Sequence, residues 1–190
     1  MTVFKYFAPF ALASLVGTVV TTPAARSAAD TVVIVVRHAE KAGPSGDVPL
    51  SPEGVERSRA LVDVARQADV SGIITTQFQR TRQTAAPLAE SLGIAPQVVE
   101  ATGAASDHAR AVVDAIQARY TGRTVLVVGH SNTVPAIVAA LGVPPFPDLC
   151  DEEYDNVFTV IVSPDGRARL VRAKYGATSQ LAATCGVVAR

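Results

Sequence analysis

Two histidines and two arginines of this chain stand where phosphoryl chemistry would need them. Arg37-His38-Ala39-Glu40-Lys41 directly follows the apolar run Thr31-Val-Val-Ile-Val-Val36, and Gly129-His130-Ser131-Asn132-Thr133 directly follows Thr124-Val-Leu-Val-Val128. Arg80 lies in a third polar cluster, Gln77-Phe-Gln-Arg80-Thr-Arg82-Gln83-Thr84, just past Gly72-Ile-Ile-Thr-Thr76. A guanidinium fork matches phosphate oxygens two at a time, and helix N-termini add backbone N–H donors for an anion. A neutral imidazole is a competent nucleophile toward phosphorus, and a second, protonated imidazole would stabilise charge on the group in transit. Positioning and electrostatics supply most of the catalysis in phosphoryl transfer, so these four side chains are of the right kind. The histidine spacing contains neither HxH nor HxxxH, and no metal site is expected from it.

The elements that must carry these clusters alternate. The apolar runs at Thr31, Gly72 and Thr124 are short and rich in β-branched residues, as in parallel strands covered on both faces. Ser51-Pro52 reads as an N-cap followed by proline at the first helical position, opening a helix to about Ala68. A second helix is expected from about Arg80 to Leu92, with Ala85, Leu88 and Leu92 on one face and Gly93 as its stop. Gln97 to Glu100 predicts a short strand, Asp107 to Tyr120 a third helix and Asn132 to Leu141 a fourth. Asn156 to Val162 and Arg167 to Lys174 flank the turn signal Ser163-Pro-Asp-Gly166 and read as an antiparallel edge hairpin. The expected fold is therefore α/β: a three-layer α/β/α sandwich with a mostly parallel central sheet and that C-terminal hairpin. Parallel strands share a direction, so the three polar clusters converge on one sheet edge, where such folds bind ligands.

Composition narrows the function classes. The 190 residues suit one domain, and 48% hydrophobic residues with 17 basic against 17 acidic exclude a disordered chain. Balanced charge argues against a nucleic-acid partner, which would call for a basic stripe. Residues 1–29 read as a cleavable signal peptide: Lys5, an apolar stretch to Val20, then Ser27-Ala28-Ala29 before Asp30. That apolar stretch is short of the roughly 20 residues of a spanning helix, so no stable membrane span is expected after cleavage. Residues 30–190 would then be the functional domain, periplasmic or secreted. Without Lys5 and Arg26 it has 15 basic and 17 acidic residues, a net charge of −2. In an oxidising compartment Cys150 and Cys185 read as a disulfide, worth roughly 3–4 kcal/mol if unstrained, with free thiols as the alternative.

These motifs resemble the histidine phosphatase superfamily, which includes the phosphoglycerate mutases. Arg37-His38-Ala39-Glu40 matches its Arg-His-Gly motif, with Ala39 in place of glycine, and Leu50-Ser51-Pro52-Glu53-Gly54 its Leu-Ser-x-x-Gly helix start. Arg80-Thr81-Arg82-Gln83-Thr84-Ala85 and Gly129-His130 match the remaining two, in family order. The resemblance implies that His38 is the nucleophile that becomes phosphohistidine. It likewise implies that Arg37, Arg80 and His130 bind the phosphoryl group and that the reaction needs neither metal nor cofactor. The implied partner is a phosphorylated small-molecule or macromolecular substrate.

Ser131 stands where the acid phosphatase branch has a proton-donating aspartate, so the resemblance is to the mutase-like branch. There the donor is a carboxylate in the segment after the third strand. Asp107 is the candidate here, although an aspartate before a helical run is also a common N-cap; Glu100 and His108 are weaker candidates. The acidic run Asp151-Glu-Glu-Tyr-Asp155 reads as a solvated loop that could rim the site. Gln83, Thr84, Ser131 and Asn132 are expected to cap helices or hold catalytic side chains. The expected activity is hydrolysis of phosphomonoesters, falling as pH drops through the His38 pKa. The alternatives are a catalytically silent phosphate- or partner-binding protein and a phosphoglycerate mutase.

Overall fold

The computed structural model describes residues 29–180 together with Met1 and Cys185. The expected leader therefore lies, but for its two end residues, outside the described residues. Among those described, no helix is long and apolar enough to cross a membrane.

Ten elements follow in order: β1 (Thr31–Arg37), α1 (Pro52–Ala65), β2 (Val70–Thr75), α2 (Gln79–Leu92), β3 (Gln97–Val98), α3 (Ala105–Arg119), β4 (Thr124–Gly129), α4 (Thr133–Ala140), β5 (Asn156–Val162) and β6 (Ala168–Lys174). The sheet order is β3-β2-β4-β1-β5-β6. The first four of these strands run parallel, while β5 and β6 are antiparallel, as the hairpin pattern predicts. Alternation along β1 separates two cores. Val33 and Val35 pack with Val112 and Ile116 of α3 and Ile137 of α4; Ile34 and Val36 pack with Leu61 of α1 and Leu88 of α2. Three layers result, with helices on both faces of the sheet.

Several boundaries depart from the sequence pattern: α1 ends at Ala65 rather than about Ala68, and β2 begins at Val70 rather than Gly72. β3 keeps only two residues. α3 starts at Ala105, with Ala104 in the cap position and no side-chain cap bond. Asp107 thus falls inside the first helical turn, where its charge faces the positive end of the helix dipole.

The start of α1 is built around the segment that follows β1. The Ser51 side chain accepts from the Gly54 N–H as the N-cap, and the Ser51 N–H donates to the Glu40 carbonyl at 2.9 Å. A Cβ at Gly54 would lie 2.2 Å from that carbonyl oxygen, so only glycine lets the helix approach so closely. One turn on, buried Arg57 donates to the Glu40 carboxylate (2.7 and 2.9 Å) and to the carbonyls of Tyr175 and Ala177 (both 2.8 Å). One guanidinium thereby ties α1, the segment after His38 and the chain beyond β6 together. Arg57→Ala is expected to cost about 3 kcal/mol of stability, because it strands a largely buried carboxylate and two carbonyls. A urea midpoint shift equivalent to less than about 1 kcal/mol would show that the clamp is dispensable. Cys150 and Cys185 are disulfide-bonded, with Cα atoms 5.9 Å apart.

Candidate active site

The last register pair of β1 and β4 is Arg37 opposite Gly129, so His38 and His130 leave the sheet side by side. Their rings lie 5.4 Å apart, centroid to centroid, edge to face. The His38 N–H donates to the Gly129 carbonyl at 2.9 Å, and its Nδ1 sits 2.7 Å from the Ala39 carbonyl. A carbonyl only accepts, so the Nδ1 carries the proton and the lone pair is on Nε2. Behind this turn the Ala39 N–H donates to Thr84 Oγ1 at 2.9 Å, and the Leu50 N–H to Gln83 Oε1 at 2.8 Å. Gln83 and Thr84 therefore hold the nucleophile's segment against α2.

His130 is fixed from both sides. Its N–H donates to Thr133 Oγ1 at 2.8 Å; its Nε2 lies 3.1 Å from Thr76 Oγ1 and its Nδ1 3.4 Å from Arg80 Nη2. Arginine can only donate, which assigns the lone pair to Nδ1 and the proton to Nε2. Thr76 passes the chain to Thr81 Oγ1 at 2.9 Å, which donates to the Phe78 carbonyl at 2.9 Å. Burial pushes the His38 pKa down to about 2, with Arg37, His130 and Arg80 adding to the effect. His130 falls to about 3 by burial and then by Arg80, His108 and Arg37. Both rings are neutral at pH 7.

Arg37 and Arg80 complete the ring of donors. Each keeps a buried Nε with no hydrogen-bond partner. Buried donors are normally paired, and here two belong to side chains that line one cleft of about 300 Å³, together with His38, His130 and Ser131, Asn132 and Thr133 at the start of α4. An imidazole lone pair in a cleft shared with two arginines that keep unpaired donors suits an electrophilic anion.

Comparison with known proteins agrees with that chemistry. Residues 33–103 match the histidine phosphatase superfamily (branch 1). A proposed phosphohistidine phosphatase, SixA from Nakamurella multipartitia, shares 26% identity over 80% of this chain and 99% of its own, with a TM-score of 0.59. A mycobacterial glucosyl-3-phosphoglycerate phosphatase has the same fold at 16% identity, over 74% of this chain and 97% of its own, with a TM-score of 0.62. No curated protein matches the sequence. The match and the structural neighbours support the histidine phosphatase superfamily. Phosphatase activity, in general terms, is what this likeness indicates.

Within this histidine phosphatase fold, four of the five residues singled out from sequence meet in the cleft, and Asp107 does not. Its exposed carboxylate pairs with Arg110 one turn along α3, and it does not line the cleft. The buried face of α3, Ala109, Val112 and Ile116, explains the miss: it turns Asp107 outward, and the residue lining the cleft from this turn is His108. Buried His108 places Nδ1 3.2 Å from the Glu100 carbonyl, and burial lowers its pKa. Glu100 is exposed and contributes that carbonyl, outside the cleft lining.

The acidic run also differs from the solvated loop expected. Asp151 rims the cleft, Asp155 is buried, and the Tyr154 ring lies under the Arg37 guanidinium at 4.1 Å. Neither Tyr154 nor Arg57 carries a local signal; a tyrosine amid four acids looks like surface until its distant partner is known.

Proposed function

We propose that this protein is a metal-independent phosphatase that passes the phosphoryl group through phosphohistidine on His38. The observation that carries the reading is that His38, with its lone pair on Nε2, lines one cleft with Arg37 and Arg80, each of which keeps an unpartnered Nε. The phosphoryl oxygens take the free donors of Arg37 and Arg80, which fixes the phosphorus beside His38. His38 Nε2 attacks in line, forming the P–N bond as the leaving group departs with its bonding pair. Water then attacks the phosphorus, the bond to His38 breaks, and phosphate leaves. As charge grows on the oxygens, the Arg37 and Arg80 guanidiniums offset it, and the neutral His130 ring holds Arg80 by accepting from its Nη2 at Nδ1.

The cleft also speaks to the leaving group. Among the described residues its only carboxylate is Asp151, whose side chain is 86% exposed and leans toward Arg37 at 3.9 Å. His108 is neutral at pH 7, so it is a weak acid for this purpose. We infer substrates whose leaving group needs little protonation by the enzyme. Aryl and acyl phosphates qualify, as do phosphoramidates such as phosphohistidine, whose second ring nitrogen takes its proton from water. The 26% identity to a proposed phosphohistidine phosphatase supports this class. Export with removal of residues 1–29 belongs to the same reading, and the Cys150–Cys185 bond suits an oxidising compartment.

The test is turnover in EDTA of p-nitrophenyl phosphate, phosphoramidate and glycerol 2-phosphate by residues 30–190. The first two are expected to be hydrolysed, and the alkyl ester to have a kcat/KM lower by at least about 100-fold, the smaller end of what general acid catalysis supplies. Equal rates on the alkyl ester would refute the substrate class. Vanadate binding without any turnover would identify a silent binder instead.

A further inference from the structure

Arg37 is held by a stretch of chain more than a hundred residues away. Its Nη1 donates to the carbonyls of Cys150 (2.6 Å), Asp151 (3.0 Å) and Glu153 (3.3 Å), and the Tyr154 ring covers its face at 4.1 Å. The same ring lies 6.0 Å from the His38 ring. Every partner of the guanidinium thus comes from residues 150–154, and all of them leave one side alone. Nε has no partner, and the nearest approach to Nη2 is the Asp151 carboxylate at 3.9 Å. Nε–H and Nη2–H lie along a single edge of a guanidinium and together match two oxygens of one phosphate.

This stretch is itself anchored. Ser179 Oγ accepts from the Tyr154 and Asp155 N–H groups at 2.9 and 3.1 Å. The Ser179 N–H donates back to Asp155 Oδ2 at 3.1 Å, and Lys174 Nζ to Oδ1 at 2.8 Å. The disulfide at Cys150 fixes the other end. An arginine side chain is long and mobile, so a site that needs one edge presented must restrain the rest of the group.

We propose that Tyr154, with the three carbonyls of residues 150–153, is the positioning element that presents the Nε–Nη2 edge of Arg37 to the phosphoryl group. The proposal rests on the reading that Arg37 binds that group. Tyr154 stays off the reacting atoms: it acts through Arg37, by a cation–π contact in a buried setting. Its hydroxyl has no part in this, so the ring is the functional unit.

The experiment compares wild type, Tyr154→Leu and Tyr154→Phe by vanadate inhibition constant, by KM and kcat on p-nitrophenyl phosphate, and by circular dichroism. Tyr154→Leu is expected to weaken vanadate and raise KM by about tenfold, between the exposed and the fully desolvated range of a cation–π contact. Tyr154→Phe is expected to recover most of that affinity. In an Arg37→Ala background the Leu change is expected to add nothing. A folded Tyr154→Leu protein with wild-type vanadate affinity would overturn the proposal while leaving the phosphatase reading intact. Wild type that neither binds vanadate nor turns over would overturn the reading beneath it. Should Tyr154→Leu fail to fold, Tyr154→Met, which keeps bulk without a ring, decides by the same readout: about tenfold weaker vanadate supports the proposal, and wild-type affinity overturns it.

Discussion

His38→Ala is expected to lower kcat on p-nitrophenyl phosphate by about 10⁴-fold or more while the protein still binds vanadate. The size follows from what the variant removes. His38 supplies the electron pair that makes phosphorus change partners, and no other described group is placed to replace it. His130 is the nearest imidazole, but its Nδ1 lone pair faces Arg80 and its Nε2 is committed to Thr76. Loss of a covalent nucleophile costs factors of this order where binding groups remain in place. Anion binding should survive, because the unpaired Nε donors of Arg37 and Arg80 are untouched. Wild type mixed with substrate and quenched in base should carry labelled phosphate on one histidine, and His38→Ala should carry none. Residual turnover above about a tenth of wild type would remove His38 from the mechanism.

The strands and the four converging side chains were legible because their information is local. A β-branched run followed at once by Arg-His or Gly-His states both the strand and what stands at its end, and parallel pairing does the rest. The Ser51-Pro52 helix start was equally readable, since an N-cap and its proline are neighbours in sequence. Asp107 misled because its place on the helix went unread: with Ala109, Val112 and Ile116 buried, the neighbour that turns inward is His108, and Asp107 faces out to Arg110. Tyr154 and Arg57 were illegible for another reason. Each does its work on a partner distant in the chain, Tyr154 on Arg37 and Arg57 on Tyr175 and Ala177, and a single sequence has no period or motif that names such a pair.

Acid is expected to unfold this protein before it silences His38. An unfolded histidine titrates near 6.5, whereas the native rings are held down to about 2 for His38 and about 3 for His130. Between those values and 6.5 the unfolded chain binds protons that the folded chain refuses. Stability is therefore full above about pH 6.5 and is lost progressively as pH falls toward 3. From pH 7 to 4.5 each ring costs about 2.5 kcal/mol by this linkage, about 5 kcal/mol for the pair, a large part of a typical domain's stability. Buried His108 adds in the same direction. The native nucleophile stays neutral over this whole range, so the fall in activity expected at the imidazole pKa moves from near 6.5 to far more acidic pH. Urea unfolding from pH 7.5 to 4.5 should show the midpoint dropping steadily. Initial rates taken in the cold, within seconds and corrected for the substrate's own ionisation, should stay within about threefold over the same range. The His38→Ala protein separates the contributions: its stability should depend less on pH by about half of the paired effect. A tenfold loss of kcat/KM per pH unit below 6, with an unmoved urea midpoint, would mean that His38 titrates as an exposed imidazole. That result would be incompatible with a ring 4% exposed and surrounded by two arginines and a second histidine. The burial that keeps the nucleophile ready thus sets the acid limit of the fold itself.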